Sequence, residues 1–461
     1  MKIGMGSSFN ASRTLNHRLR ADARSIFEAG VRAADPHEAV GRNLRISDTG
    51  RPTIAGEELA TGSMLRIVAF GKAGVIMARA AAEALSESGY APPGIVSVNR
   101  ENHADLHGFR VFGARHPIPD AVGVAAAEAT REYVAGSRGQ DALLVLLSGG
   151  GSALLPSPAP GVSLEDKQET TRLLLASGAP IQAVNCVRKH LSTIKGGGLA
   201  RQAWPARIES LILSDVIGND LGSIASGPTA PDPSTFVDAL QVLTRYGLLD
   251  STPQSVKRRL ENGVDGEIPE TPTEEDPMFT RIENRLVGSN LQSLAAAERS
   301  AAALGFAVFV ASTGLVGEAR TAASEILTAA QRHWDGRSPL AVLFGGETTV
   351  TVRGSGQGGR NQETALALAL LSEQRPLPGH WVFLSGGTDG VDGPTDAAGG
   401  VVDAETPERI RRAGFDPAFE LNQNNSHAVL TAADDLLMTG PTGTNVADLQ
   451  ILLLSAAAPG G

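Results

Sequence analysis

The feature that most constrains this chain is an alternation of two kinds of segment along its 461 residues. Short apolar runs of strand length lead into glycine-rich polar turns, and those turns lead into Ala/Leu-rich stretches at helical spacing. Leu65–Phe70 is one such run, 71–74 its turn and 75–85 its helix. The pattern returns with strands over 94–98, Ala142–Leu147 and 211–213, and helices over 120–133 and 164–177. Residues 15–34 read as an amphipathic helix ahead of them. It restarts with strands at 285–287, 307–311, 340–344 and 381–384, separated by helices at 291–304, 318–333 and 362–371. Strands alternating with helices imply βαβ units and a mostly parallel sheet, an α/β fold.

Between the two series the composition changes. Residues 251–283 are rich in proline, with the acidic run Glu274-Glu275-Asp276 ahead of Pro277, and read as a surface connection. The sequence therefore predicts two α/β halves, residues 1–250 and 284–455, with a disordered tail over 456–461. Other classes are disfavoured. The net charge is −10 and no basic run stands out, so a nucleic-acid partner is not expected. A single cysteine, Cys186, allows no intramolecular disulfide, thiolate zinc cluster or C-x-x-C pair, and a reducing compartment is the natural reading. No run approaches the roughly 18 apolar residues that span a bilayer. Arg13, Arg18 and Arg20 lead into an amphipathic pattern and not into a signal-peptide core. The expectation is a soluble, cytoplasmic protein with no membrane partner.

In open α/β sheets, ligands sit beyond the carboxyl ends of the strands, so the turns that leave those ends matter most. After Ala142–Leu147 comes Ser148-Gly149-Gly150-Gly151-Ser152, whose backbone can turn several N–H groups toward one anion. A plain tight turn would read the same way. After Leu65–Phe70 comes Gly71-Lys72-Ala73-Gly74. It lacks the P-loop spacing but offers Lys72 as a point charge for a phosphoryl group or carboxylate. Asp215 ends another strand and is a candidate general base or metal ligand, followed by Gly218-Asn219-Asp220. Gly354, Gly356 and Gly359 formally match G-x-G-x-x-G, but a ribose-binding acid at the right distance is missing. Arg360 and Asn361, at the start of the next helix, are better placed to hold an anion. Thr388-Asp389-Gly390-Val391-Asp392 offers carboxylates suited to Mg²⁺ or to ordinary turn chemistry. The nine histidines show no metal-ligand spacing, no tight protein-ligand metal cluster is evident, and His116 and His190 read as structural. Together these loops favour phosphoryl transfer to a small molecule.

These motifs, in this order, resemble the glycerate 2-kinase family, the kinases that carry a C-terminal MOFRL domain. The resemblance is carried by Phe70-Gly71-Lys72-Ala73, His116-Pro117-Ile118-Pro119-Asp120, Ser148–Ala153, and His190-Leu191-Ser192-Thr193-Ile194-Lys195-Gly196. It continues through Ser214–Asp220, Gly345-Gly346-Glu347-Thr348, Gly358–Glu363, Thr388–Thr395 and Thr439–Val446. It implies a Rossmann-like α/β/α N-terminal domain and a smaller α/β C-terminal domain, its MOFRL region at about 340–450, with the active cleft between them. It implies ATP- and Mg²⁺-dependent phosphorylation of D-glycerate to 2-phosphoglycerate by a monomer or homodimer. Lys72 and Arg360 would be the catalytic pair. Ser148, Gly149, Gly150, Gly151, Ser152, Lys195 and Asn361 would hold substrate or phosphate. Asp215, Asn219, Asp220, Glu347, Thr388 and Asp389 would face the nucleotide or its metal. Asn219 stands where an Asp is common in the family, and Ser426-His427 where an aromatic is usual. The alternatives are an NAD(P)H-dependent hydroxypyruvate reductase, a label that relatives have carried, and a ligand-binding sensor without turnover.

Overall fold

The computed structural model describes residues 5–86, 89–377 and 379–456, so the tail expected to be disordered lies almost wholly outside the described residues. The chain divides into two compact units. One comprises residues 36–287, the other residues 1–35 together with 288–461.

The unit of residues 36–287 begins with helix Pro36–Asn43, followed by a small antiparallel sheet of β1 (Leu44–Ile46), β2 (Pro52–Ile54) and β3 (Glu57–Glu58). Its main sheet holds β4 (Leu65–Phe70), β5 (Gly94–Asn99), β6 (Phe109–Ala114), β7 (Ala142–Leu147), β8 (Arg207–Ser214) and β9 (Ile282–Ser289). Their spatial order is β6-β5-β4-β7-β8-β9, and every pairing from β6 to β8 is parallel. Counted within the sheet, this is the 3-2-1-4-5-6 order of doubly wound nucleotide-binding folds, whose switch point lies between the first and fourth strands. The inner strands β4, β5, β7 and β8 are buried on both faces, which explains their apolar runs. Along β7, Leu144 and Leu146 enter the core cluster that holds Met77 and Leu85, while Leu143, Val145 and Leu147 enter the one that holds Val134 and Leu199.

A separate helical cluster gathers Leu174, Val184, Val187, Phe236, Leu243, Val256 and Leu260. It corrects the reading of residues 251–283 as a bare connection. Helix Gln254–Val264 buries Val256 and Leu260 in that cluster, and loop follows it only over 265–276, before a short 3-10 turn at Pro277–Arg281 and the start of β9 at Ile282.

The second unit holds β10 (Ala307–Glu318), β11 (Leu340–Thr349), β12 (His380–Gly387), β13 (Gly399–Asp403), β14 (Leu436–Leu437) and β15 (Asp448–Ser455), in the order β10-β11-β15-β12-β13-β14. Here the expectation of a mostly parallel sheet fails. Among the described residues only β10 and β11 run parallel, and β15 inserts antiparallel between β11 and β12. Alternate residues still serve opposite faces. Ala341 and Leu343 pack with Leu294 and Phe27, whereas Val342 and Phe344 pack with Ile326 and Leu368. Phe27 belongs to helix Met5–Ala33, so the N-terminal helix joins this unit and not its immediate neighbour in sequence. Arg20 anchors it, reaching Asp403 at 2.5 Å and Asp435 at 2.8 Å.

Candidate active site

At the switch point of the parallel sheet, two sequence-predicted turns meet. The Lys72 amide donates to the Gly149 carbonyl at 2.8 Å, and the Ala73 amide to the buried Ser148 hydroxyl at 3.0 Å. Gly71 has φ +120°, and a Cβ there would collide with the Ser148 carbonyl and hydroxyl. Glycine at 71 is therefore what lets the Lys72 turn lie against the glycine-rich one. Gly150 is left-handed at φ +82°, and the His116 ring covers it, 3.0 Å from where a Cβ would stand. Desolvation and the Lys72 charge hold the His116 pKa below its usual value, with Glu101 acting the other way. His116, read from sequence as structural, thus borders the Lys72 turn.

Ser152 closes the glycine-rich turn and gathers cations. Lys195 Nζ donates to its carbonyl at 2.9 Å, to its hydroxyl at 2.7 Å and to the Ala225 carbonyl at 3.4 Å. Arg188 also donates to the Ser152 hydroxyl, and its second arm reaches Asn185 Oδ1 at 3.5 Å. Burial drives Lys195 well below the usual lysine range, aided by the charges of Arg188 and Lys167, and drives Arg188 down to about 10. The approach of Arg188 to Ser152 was not legible in the sequence. Arg188 sits in helix Ile181–His190 among Val187, Lys189 and His190, and the only sequence signal was an excess of basic residues in that helix's last turn.

Asp215 comes directly after β8. Burial raises its pKa, and the Lys72 charge opposes that rise. Asn219 takes φ +56°, a left-handed turn that asparagine tolerates well, so the departure from Asp there serves the backbone. Asp220 is exposed and accepts from the Gly222 amide and the Ser223 hydroxyl.

In the other unit Arg360 is gripped through two donors by Asp448, at 2.6 and 2.8 Å, and lies 3.1 Å from Glu347. Burial alone would lower the guanidinium pKa; the carboxylates outweigh it and keep the group charged. Burial pushes Asp448 and Asp392 up to about 6 each, against the pull of Arg360 on both. Asp392 accepts the Asn361 amide at 3.1 Å and the Gln362 amide at 2.8 Å.

That cap bears on two expectations. Two first-turn N–H groups of helix Arg360–Gln374, those of Asn361 and Gln362, which a bound anion would use, already bond a carboxylate of the protein itself. Asn361 is fully buried, with Nδ2 on Asp392 and Oδ1 on the Ser385 hydroxyl, so it orients acids and presents no donor to a ligand. The apparent G-x-G-x-x-G fails on the same ground. Cβ positions at Gly354 and Gly356 are filled by Gln423 and Asn425, which leaves no cradle for a dinucleotide. Thr388, too, is a brace. It is fully buried, its hydroxyl donating to the Ala447 carbonyl at 2.7 Å and accepting from the Val446 amide at 2.9 Å. Asp389 Oδ1 accepts the Val391 amide at 3.1 Å. Glu347 is half exposed, the accessible partner of Arg360.

The sheet order, with the Lys72 and glycine-rich turns joined at its switch point, places this chain among the doubly wound α/β proteins. Comparison with known proteins narrows that class. Residues 22–261 match a domain family of unknown function, DUF4147, and residues 340–448 match the MOFRL family. A glycerate 2-kinase of Pyrococcus horikoshii is 40% identical over 441 residues, spanning 94% of this chain and 96% of its own. Human glycerate kinase is 39% identical, across 95% of this chain and 93% of its own. The crystal structure of a glycerate kinase from Thermotoga maritima superposes with a TM-score of 0.81 at 38% identity, covering 95% of this chain and all of that one. This chain belongs to the glycerate kinase family.

Proposed function

We propose that this protein phosphorylates D-glycerate on its C2 hydroxyl with ATP, giving 2-phosphoglycerate and ADP. The observation that carries this reading is the joined Lys72 and Ser148–Ser152 turns at the switch point, in a chain similar over nearly its full length to proteins named glycerate kinases. In such a transfer the glycerate hydroxyl oxygen bonds the γ-phosphorus, the bond to the bridging oxygen breaks, and the hydroxyl proton must leave. Positioning and charge stabilisation do most of the work. Lys72 neutralises charge on the transferring phosphoryl group. Asp215 suits the proton, since burial makes its carboxylate a stronger base than usual. Ser148, Gly149, Gly150, Gly151 and Ser152 hold the bound anions, with Lys195 fixing the last of them. Arg360 acts as the second catalytic cation by exchanging its accessible partner Glu347 for a ligand anion while Asp448 keeps it aimed.

Among the described residues no group of three His, Cys, Asp or Glu side chains is placed to hold a metal ion. A nucleotide-bound Mg²⁺ needs no such cage, because one or two carboxylates with phosphate oxygens and water complete its shell. Asp215 and Asp220 in one unit, or Asp389 in the other, are carboxylates of the kind that would hold it, and it would offset phosphate charge. No described helix is long and apolar enough to cross a membrane. The reading goes with a cytoplasmic monomer or homodimer that binds no nucleic acid.

The test is a product assay. Pure protein with D-glycerate, ATP and Mg²⁺ should give 2-phosphoglycerate by ³¹P NMR, while hydroxypyruvate with NADH stays unchanged. A 3-phosphoglycerate product would overturn the position of attack, and NADH oxidation alone would overturn the reaction class.

A further inference from the structure

Basic side chains crowd around Ser152. Lys195 and Lys167 are 2% and 4% exposed, and Arg188 lies near both. Lys167 Nζ donates to the Leu191 carbonyl at 2.9 Å and the Arg188 carbonyl at 3.4 Å. Among the described residues no carboxylate forms an ion pair with any of the three. Their neighbour Lys189, by contrast, pairs with the fully buried Asp232 at 3.2 Å. Buried cations are ordinarily paired, because water no longer offsets their charge. Lys195 is satisfied by three neutral oxygens and holds Ser152 in place. Arg188 is less committed: one arm is on Ser152, another bond is long, and Nε has no partner among the described residues. A guanidinium with donors to spare, beside cations that lack a counter-ion, is poised for a planar anion gripped through two bonds.

We infer that Arg188, set by Ser152 and Lys195, binds the carboxylate of the acceptor substrate and so makes this site select small 2-hydroxy acids over neutral polyols. The inference rests on the glycerate-phosphorylation reading and divides its anions: the carboxylate goes to Arg188, and the transferred phosphoryl group goes to Lys72 on the adjoining turn. A nucleotide phosphate is the other anion that could balance the charge. The glycerate-phosphorylation reading gives the transferred phosphate to Lys72 on the adjoining turn, so the carboxylate is assigned to Arg188, and the experiment separates the two.

Steady-state rates are measured for wild type, Arg188→Gln and Arg188→Lys, varying D-glycerate and ATP in turn and offering glycerol as a neutral acceptor. Melting temperatures are recorded with D-glycerate alone, without nucleotide. Arg188→Gln should raise the KM for D-glycerate at least tenfold, leave the KM for ATP within twofold and reduce the preference for glycerate over glycerol. Arg188→Lys should recover part of that loss. D-glycerate should raise the melting temperature of wild type but not of Arg188→Gln. If Arg188→Gln does not fold, Ser152→Ala, which removes one acceptor only, should still raise the KM for D-glycerate severalfold. A raised KM for ATP with that for glycerate unchanged would reassign the pocket to nucleotide phosphate, and no change in either would make it structural; both overturn the inference. A wild type that makes no phosphoglycerate but is stabilised by D-glycerate in an Arg188-dependent way would overturn the kinase reading and uphold the subsite.

Discussion

Lys72 owes its position to the residue before it. Gly71, at φ +120°, packs against Ser148 where no side chain fits, and the Lys72 amide is thereby tied to Gly149. Asp215 and His116 both feel the Lys72 charge, so the lysine is the electrostatic centre of its surroundings. Removing one preorganised charge-stabilising group from an active site typically lowers kcat by about 10²–10³. Lys72→Met keeps an unbranched side chain of nearly the same length and removes the ammonium group, so kcat should fall by roughly that factor. The melting temperature should change little, because Lys72 does not belong to the buried apolar core. Turnover within threefold of wild type would remove Lys72 from the catalytic machinery. Lys72 and Ser152 were legible because each lies in a glycine-rich turn directly after a strand. Arg188 and Asp448 were not. Arg188 reaches Ser152 across 36 residues and Asp448 reaches Arg360 across 88, and nothing local in sequence announces either approach.

Helix Arg360–Gln374 shows how an element is held by a distant group. Its N-terminal amides end on Asp392, a carboxylate that burial pushes up to about 6 from an ordinary value near 3.8. The sign comes from proton counting. Between about pH 4 and 6 the folded state keeps this proton while the unfolded chain releases it, so the group's contribution to stability falls as pH rises through that window. Above about pH 6 both states are ionised and the contribution is level. Asp392→Asn retains an acceptor for the cap and cannot titrate. The advantage of wild type over the variant in melting temperature should therefore be largest near pH 4, shrink toward pH 6 and then stay constant. Differential scanning fluorimetry from pH 4 to 7.5 would decide it, and an advantage that grows with pH would mean that Asp392 is ionised throughout. The local pattern revealed this helix and most strands, since alternation and apolar runs are local properties. It missed β6, whose Phe-Arg-Val-Phe-Gly-Ala sequence is mostly half-buried at the sheet edge. It also missed the antiparallel insertion of β15, because register with β11 and β12 is fixed by packing more than 60 residues away.

At the scale of the whole chain, sequence order and folding unit part company. Residues 36–287 form a unit with its own sheet and core clusters. The helix that precedes them supplies Leu19, Ala23, Ile26 and Phe27 to the core of the other unit, against Leu343, Leu384 and Ile451. Arg20 ties that helix further to Asp403 and Asp435, both buried. Without the helix, one face of the second sheet would expose the apolar residues that Phe27 and its neighbours cover, while Asp403 and Asp435 would lose one of their two arginine partners. Replacing a buried phenylalanine by alanine costs about 3–5 kcal/mol, a large share of a domain's stability. Losing the entire helix should exceed what the remaining fold can bear. A fragment of residues 36–287 should therefore fold alone, with cooperative melting and resistance to limited proteolysis. A fragment of residues 288–461 should not, and should gain both properties when a peptide of residues 5–35 is added in trans. Cooperative melting of 288–461 without the peptide would show that the helix only decorates a unit complete in itself.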